Sequence, residues 1–133
     1  MKILIVDDEV MIHEIIEGQL RMMFDGELEF EKCADFESAL QAMKGSKFDL
    51  VTCDVKLHSK SGIDLVIRAR NESPTFAGVP VIFITGYKPM VRNHEILESP
   101  HTYLLGKPFS MTELSDTLAQ IHLKWPLLET AAA

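Results

Sequence analysis

Five short apolar runs, each followed by a helix-length amphipathic stretch, constrain this chain more than any other feature of its sequence. The runs are Lys2–Val6, Leu28–Cys33, Leu50–Cys53, Val79–Ile84 and Thr102–Leu105. KILIV and VPVIFIT are apolar at consecutive positions, so both faces of those strands need covering, as in a parallel sheet between helices. LEFEKC alternates apolar and polar residues, which suits an edge strand with one wetter face. Strict alternation predicts an α/β fold: a five-stranded parallel sheet with helices on both faces, built from five strand–helix units. Right-handed crossovers then favour strand order 2-1-3-4-5.

The helices show their stripes and their stops. The first carries Ile12, Ile15, Ile16, Leu20 and Met23 on one face and is expected to end near Asp25-Gly26. Asp35 is placed to cap the second, which buries Phe36, Ala39, Leu40 and Met43 and stops at Gly45. Ser61 opens the third, with Ile63, Val66 and Ile67 inward. A fourth helix is expected to start at Pro89 and to be terminated by Ser99-Pro100. Ser110 and Glu113 have capping-box spacing at the start of the fifth, whose stripe is Met111, Leu114, Leu118, Ile121 and Trp125.

A chain of 133 residues is long enough to bury one core without disulfides. Its formal net charge of −7 speaks against a nucleic-acid surface and against docking on an anionic membrane. No apolar run approaches the ~20 residues of a membrane span. MKILIVDDE is too briefly apolar for a signal peptide, so a cytoplasmic location is expected. Cys33 and Cys53 each end an apolar run and read as buried, reduced thiols. His13, His58, His94, His101 and His122 share no ligand spacing and read as surface or edge residues.

Ligands of open parallel sheets bind beyond the carboxyl ends of the strands, at the point where strand order reverses. Asp7 and Asp8, then Glu9, follow the first strand; Asp54 ends the third, Thr85 the fourth, and Lys107 follows the fifth. Carboxylates gathered there repel one another and raise each other's pKa. A hard divalent cation removes that cost, and Mg²⁺ accepts an oxygen-rich site with few protein ligands and takes phosphate oxygens as well. The ammonium and the hydroxyl supply charge and a hydrogen bond for a phosphoryl group.

KILIVDDE, VTCDVKLHSKSG, VIFITG and LLGKPF, in this order, resemble the response-regulator receiver domains of two-component signalling, over residues 2 to about 123. The resemblance implies a flavodoxin-like receiver domain over 1–124, with 125–133 as a tail outside it. It makes Asp54 the phosphoacceptor and assigns Mg²⁺ to Asp8, Asp54 and the main-chain carbonyl of Lys56, with Asp7 acting largely through water. Thr85 would move toward the phosphoryl oxygens and Lys107 would pair with one of them. Gly62 matches the family's glycine that opens the third helix. The implied partners are a sensor histidine kinase or phosphotransfer protein, and an output protein or domain bound through the fourth helix, fifth strand and fifth helix. Met90, Val91, His94 and His101 are the exposed candidates on that face, which could also mediate phosphorylation-dependent homodimerisation. No enzymatic turnover is implied beyond self-catalysed phosphoryl acceptance and autodephosphorylation.

Three features depart from the family pattern or bear on its tuning. His58 stands where the family often has Pro. Leu104 stands where an aromatic switch residue is usual, with Tyr103 one position earlier. Either Gly106 is an inserted residue that restores Tyr103 to that role, or the aromatic toggle is absent, because one position in a strand separates its two faces. Lys56 and Tyr87 occupy positions that in similar proteins tune the lifetime of the acyl phosphate. The alternatives are a degenerate receiver that binds partners without phosphorylation and a haloacid-dehalogenase-type phosphatase. The second would need an acid where Lys56 stands. A histidine phosphotransfer domain would be a helical bundle without the five strands.

Overall fold

The computed structural model describes residues 1–86 and 88–121. Expectations for Tyr87, His122, Trp125, the tail from 125 to 133 and the side chain of Met90 lie outside what it describes. The elements run β1 (Lys2–Val6), α1 (Val10–Met23), β2 (Glu29–Cys33), α2 (Phe36–Gly45), β3 (Leu50–Asp54), β4 (Lys56–Leu57), β5 (Lys60–Ser61), α3 (Gly62–Glu72), β6 (Val81–Thr85), β7 (Thr102–Gly106) and α4 (Met111–Ala119). The sheet is parallel in the order β2-β1-β3-β6-β7, the expected order once the small antiparallel hairpin β4-β5 is set aside.

Alternating residues of each central strand feed two separate cores. Leu4, Val6, Val51, Cys53, Val81 and Phe83 pack with α2 and α3 on one face. Ile3, Ile5, Leu50, Ile82, Ile84 and Leu105 pack with α1 and α4 on the other. The edge strand β2 is only partly covered, as its alternating sequence requires. Local signals fix the helix starts. Asp35 accepts from the Ser38 N–H, Ser61 from the N–H groups of Ile63 and Asp64, and Ser110 and Glu113 close a reciprocal capping box. Each such cap contributes about 1 kcal/mol. Cys33 and Cys53 are buried and unpaired.

Four expectations need correction. The segment expected as a fourth helix is two short 3₁₀ turns, Lys88–Met90 and Glu95–Glu98. His94 interrupts it: its Nδ1 accepts from the Ile96 N–H, so the chain is recapped partway and a second turn begins. Val91, expected on the exposed face, is buried together with Ile96 and pins the segment to the α2–α3 core. On α1 the buried line is His13, Ile16, Leu20 and Met23, while Ile15 is 46% exposed. Ile67 on α3 is likewise outside the core, at 38% exposure.

The strand β7 has no bulge. Ile82 pairs with Tyr103, Phe83 with Leu104 and Thr85 with Gly106 in unbroken register. Leu104 therefore lies on the face of Val91 and Ile96, and Tyr103 on the face of α1 and α4, with its hydroxyl donating to the Gln120 carbonyl at 3.5 Å. Gly106 is thus not an inserted residue. The Lys88 side chain crosses it, and a Cβ there would sit 2.9 Å from Lys88 Cδ.

Candidate functional site

The carboxyl ends of β1, β3, β6 and β7 meet in a cleft of about 820 Å³ whose walls include Asp8, Asp54, Lys56, His58, Thr85 and Lys107. Each strand end is held by backbone bonds that extend the sheet past its last residue. The Asp7 N–H donates to the Cys33 carbonyl at 3.1 Å, Val55 to Ile84 at 3.2 Å, and Lys107 to Thr85 at 2.7 Å. The loop after β3 is set by Gly62, whose N–H donates to the Val55 carbonyl at 2.7 Å. A Cβ at Gly62 would lie 1.9 Å from the Asp54 carbonyl oxygen, so only glycine lets α3 begin against that residue. Leu57, 2% exposed, anchors the β4-β5 hairpin to the core.

Asp7 is 1% exposed and Asp54 8% exposed. The Lys107 ammonium lies between them and donates to Asp7 Oδ2 at 2.9 Å and to Asp54 Oδ2 at 3.1 Å. The other Asp54 oxygen accepts from the Lys56 N–H at 3.3 Å, and Asp7 Oδ1 accepts from the Glu9 N–H at 2.9 Å. One ammonium divided between two buried carboxylates does not cover the cost of both. Burial therefore leaves the Asp54 carboxyl above its ordinary range, with Asp7 adding repulsion and Lys107 opposing. For Lys107, burial alone would lower the pKa, but its hydrogen bonds to Asp7 and Asp54 prevail and raise it. The two directions describe one situation, an acid-rich pocket short of positive charge.

Asp7, Asp8 and Glu9 bring carboxylate oxygens within 4.8 Å of one another, a donor set that fits a hard divalent cation. Asp7, Asp8, Asp54, Thr85 and Lys107, expected at one edge of the sheet, line or support this one site. The main chain of Lys56 adjoins it through Asp54. Two features escaped the sequence reading. His13, expected at the surface, is buried beneath the site with Nε2 2.7 Å from the Asp7 carbonyl oxygen. Its spacing to Ile16 and Leu20 carried the signal, since positions 13, 16 and 20 share a helix face. His58 sits over Asp8, its N–H donating to Asp8 Oδ2 at 3.1 Å and its ring Nδ1 3.6 Å from the same oxygen. No sequence periodicity could place a loop residue there.

Comparison with known proteins gives a consistent result. The family model of the response regulator receiver domain matches residues 3–119. The probable transcriptional regulatory protein TcrX of Mycobacterium tuberculosis is 30% identical over 112 residues, covering 84% of this chain and 45% of TcrX. The chain thus spans less than half the length of that relative. Among solved structures, the chemotaxis protein CheY4 of Vibrio cholerae superposes with a TM-score of 0.76 at 26% identity, covering 91% of this chain and 98% of CheY4. The receiver domain of a sensor histidine kinase from Pseudomonas aeruginosa PAO1 shares the fold, with a TM-score of 0.73 at 23% identity, covering 90% of this chain and 94% of that one; it holds a magnesium ion in its active-site cleft.

Proposed function

The chain belongs to the response regulator receiver domain family, and from that premise we propose that it is a phosphoacceptor switch in which Asp54 takes the phosphoryl group. The observation that carries the reading is Lys107, whose single ammonium joins Asp54 to the buried Asp7. Asp54 Oδ attacks phosphorus, an acyl phosphate forms, and the bond to the donor breaks. With a phosphohistidine donor, the departing imidazole takes up a proton. Lys107 follows the new charge onto a phosphoryl oxygen, and Thr85 offers its hydroxyl to another. Asp7, Asp8, Asp54 and the Lys56 carbonyl would hold Mg²⁺, which when bound neutralises charge on the transferred group. A sensor histidine kinase or phosphotransfer protein is the proposed donor. The domain acts in the cytoplasm, and among the described residues no helix is long and apolar enough to cross a membrane. Residues 1–124 form the receiver unit of this reading. Incubation with acetyl phosphate should add one phosphoryl group in Mg²⁺ and none after chelation. Equal labelling with chelator present would contradict the metal-dependent mechanism, and no labelling in either condition would favour the degenerate-receiver reading.

Mg²⁺ itself should stabilise the fold, because it offsets the cost of burying the ionised Asp54 carboxyl and its repulsion by Asp7. At a hundredfold excess over its dissociation constant, linkage gives about 2.7 kcal/mol, read as a rise in the thermal midpoint. Asp8→Asn should weaken Mg²⁺ binding and raise the metal-free midpoint. A wild-type melt indifferent to tens-of-millimolar Mg²⁺, in order of magnitude, would contradict a competent site.

Output is proposed to run through the face formed by the segment 88–99, β7 and α4. Within that face Leu104 lies on the side of Val91 and Ile96, and Tyr103 lies on the other side of β7, against α4. Signalling then rests on Thr85 and on packing around Leu104. Tyr103→Phe should leave partner affinity of the beryllofluoride-activated protein nearly unchanged, whereas Leu104→Ala should weaken it. Titration of both variants with a partner-derived peptide checks this, and a large loss for Tyr103→Phe would reverse the assignment.

A further inference from the structure

We propose that His58 is a nitrogen ligand for imidazole-seeking ions such as Ni²⁺ and Zn²⁺ when they occupy this site, so that the domain binds them more tightly than Mg²⁺, which is held by the oxygen ligands alone. This rests on the metal site of the phosphoacceptor reading and adds to it a nitrogen donor.

The geometry points to ligation because the imidazole and Asp8 are tied together through the backbone. His58 occupies the left-handed region, φ 56°, and its N–H is fixed on Asp8 Oδ2 at 3.1 Å. That bond holds the residue over the acid cluster whatever the ring does. Nδ1 already lies 3.6 Å from the same oxygen, and the side chain is 72% exposed and so can rotate. A nitrogen and an oxygen bound side by side to one ion, each at about 2.1 Å, lie about 3.0–3.4 Å apart. The ring therefore needs to close by only a few tenths of an ångström. His58 also lines the cleft that holds Asp54 and Lys107.

Two of the nearby cations are engaged elsewhere. Lys107 is engaged by Asp7 and Asp54, and Lys60 is drawn away to Glu37 at 3.3 Å and to the Phe36 ring at 4.9 Å. Without a metal, the His58–Asp8 contact is a largely exposed pairing of little consequence. With one, it becomes a mixed nitrogen–oxygen chelate. Carboxylate, carbonyl and water ligands suit Mg²⁺, whereas an imidazole shifts preference toward Ni²⁺ and Zn²⁺. A proline at this position, common in the family, would supply neither the N–H nor the ring.

Isothermal titration of the full chain with NiCl₂ and with MgCl₂ tests the proposal, using wild type, His58→Ala and His101→Asn. His101 is an exposed histidine that also has a left-handed backbone, φ 63°, but lies at the other end of the sheet, where it precedes β7. Wild type should bind Ni²⁺ more tightly than Mg²⁺, and excess Mg²⁺ should displace the Ni²⁺. His58→Ala should lose about tenfold or more in Ni²⁺ affinity while its Mg²⁺ affinity stays nearly constant; His101→Asn should match wild type for both ions. Undiminished Ni²⁺ binding by His58→Ala would overturn the proposal. So would a parallel loss for both ions, which would mean that the substitution only disturbs the loop, or Ni²⁺ that Mg²⁺ cannot displace. Wild type that binds Mg²⁺ but shows no His58-dependent gain for Ni²⁺ would refute this inference alone. Wild type that binds neither ion would refute the phosphoacceptor reading with it.

Discussion

A Lys107→Ala variant should accept phosphoryl groups from acetyl phosphate about a hundred- to a thousandfold more slowly than wild type, the usual cost of removing one well-aimed charge-stabilising donor. The ammonium is 3.1 Å from Asp54 Oδ2, the atom on which the proposed reaction places the incoming phosphoryl group, and no other lysine among the described residues pairs with Asp54. The substitution also removes the one cation between two buried carboxylates. Its stability signature has a definite sign. The Lys107 pKa is raised in the fold, with burial opposing and the hydrogen bonds to Asp7 and Asp54 prevailing. Its contribution is therefore fully present below the ordinary lysine pKa of about 10.4 and is lost as pH rises through the folded value. Metal-free Lys107→Ala should melt below wild type at neutral pH, and on the alkaline side the gap should close as Lys107 itself deprotonates. Burial raises the Asp54 pKa, so the ionised carboxyl costs stability at neutral pH and relief comes as pH falls through its folded value. With Lys107 gone that relief should be larger. Chemical quench of acetyl phosphate reactions, paired with melts across pH, checks both arms. An unchanged labelling rate would remove Lys107 from the reaction.

The parts of the fold that depend on local chemistry were legible in the sequence. Both-face apolar runs identified the central strands, and Asp35, Ser61 and Ser110 marked helix starts that the structure shows capped. The candidate site was legible for a related reason. Strand ends in a parallel sheet converge by topology, so Asp7, Asp54, Thr85 and Lys107 could be brought together without knowing a single distance. Two kinds of feature were not legible. On α1, Val10, Met11, Ile15 and Met22 are apolar yet exposed, so the helix carries more apolar residues than one face can bury. The true line then runs through a histidine, which hydropathy alone would not choose. Between β6 and β7, a side chain decided the backbone: the His94 ring caps Ile96 and divides what the residue pattern allows as one helix. The hairpin at Lys56–Ser61 belongs to the same class, being too short for any periodicity to show.

The identity of the acceptor is the claim on which the rest depends. Asp54 ends the buried strand β3, has one oxygen on Lys107 and the other on the Lys56 N–H, and is the carboxylate whose ionisation burial opposes most clearly. Wild type and Asp54→Asn should be incubated with acetyl phosphate and Mg²⁺, measured as intact proteins, then reduced with borohydride and digested to locate the modified residue. Wild type should gain one phosphoryl group, carried by the peptide containing Asp54, and Asp54→Asn should gain none while melting as a folded protein. Equal labelling of the two proteins, or a label mapped to Asp7 or Asp8, would contradict the assignment.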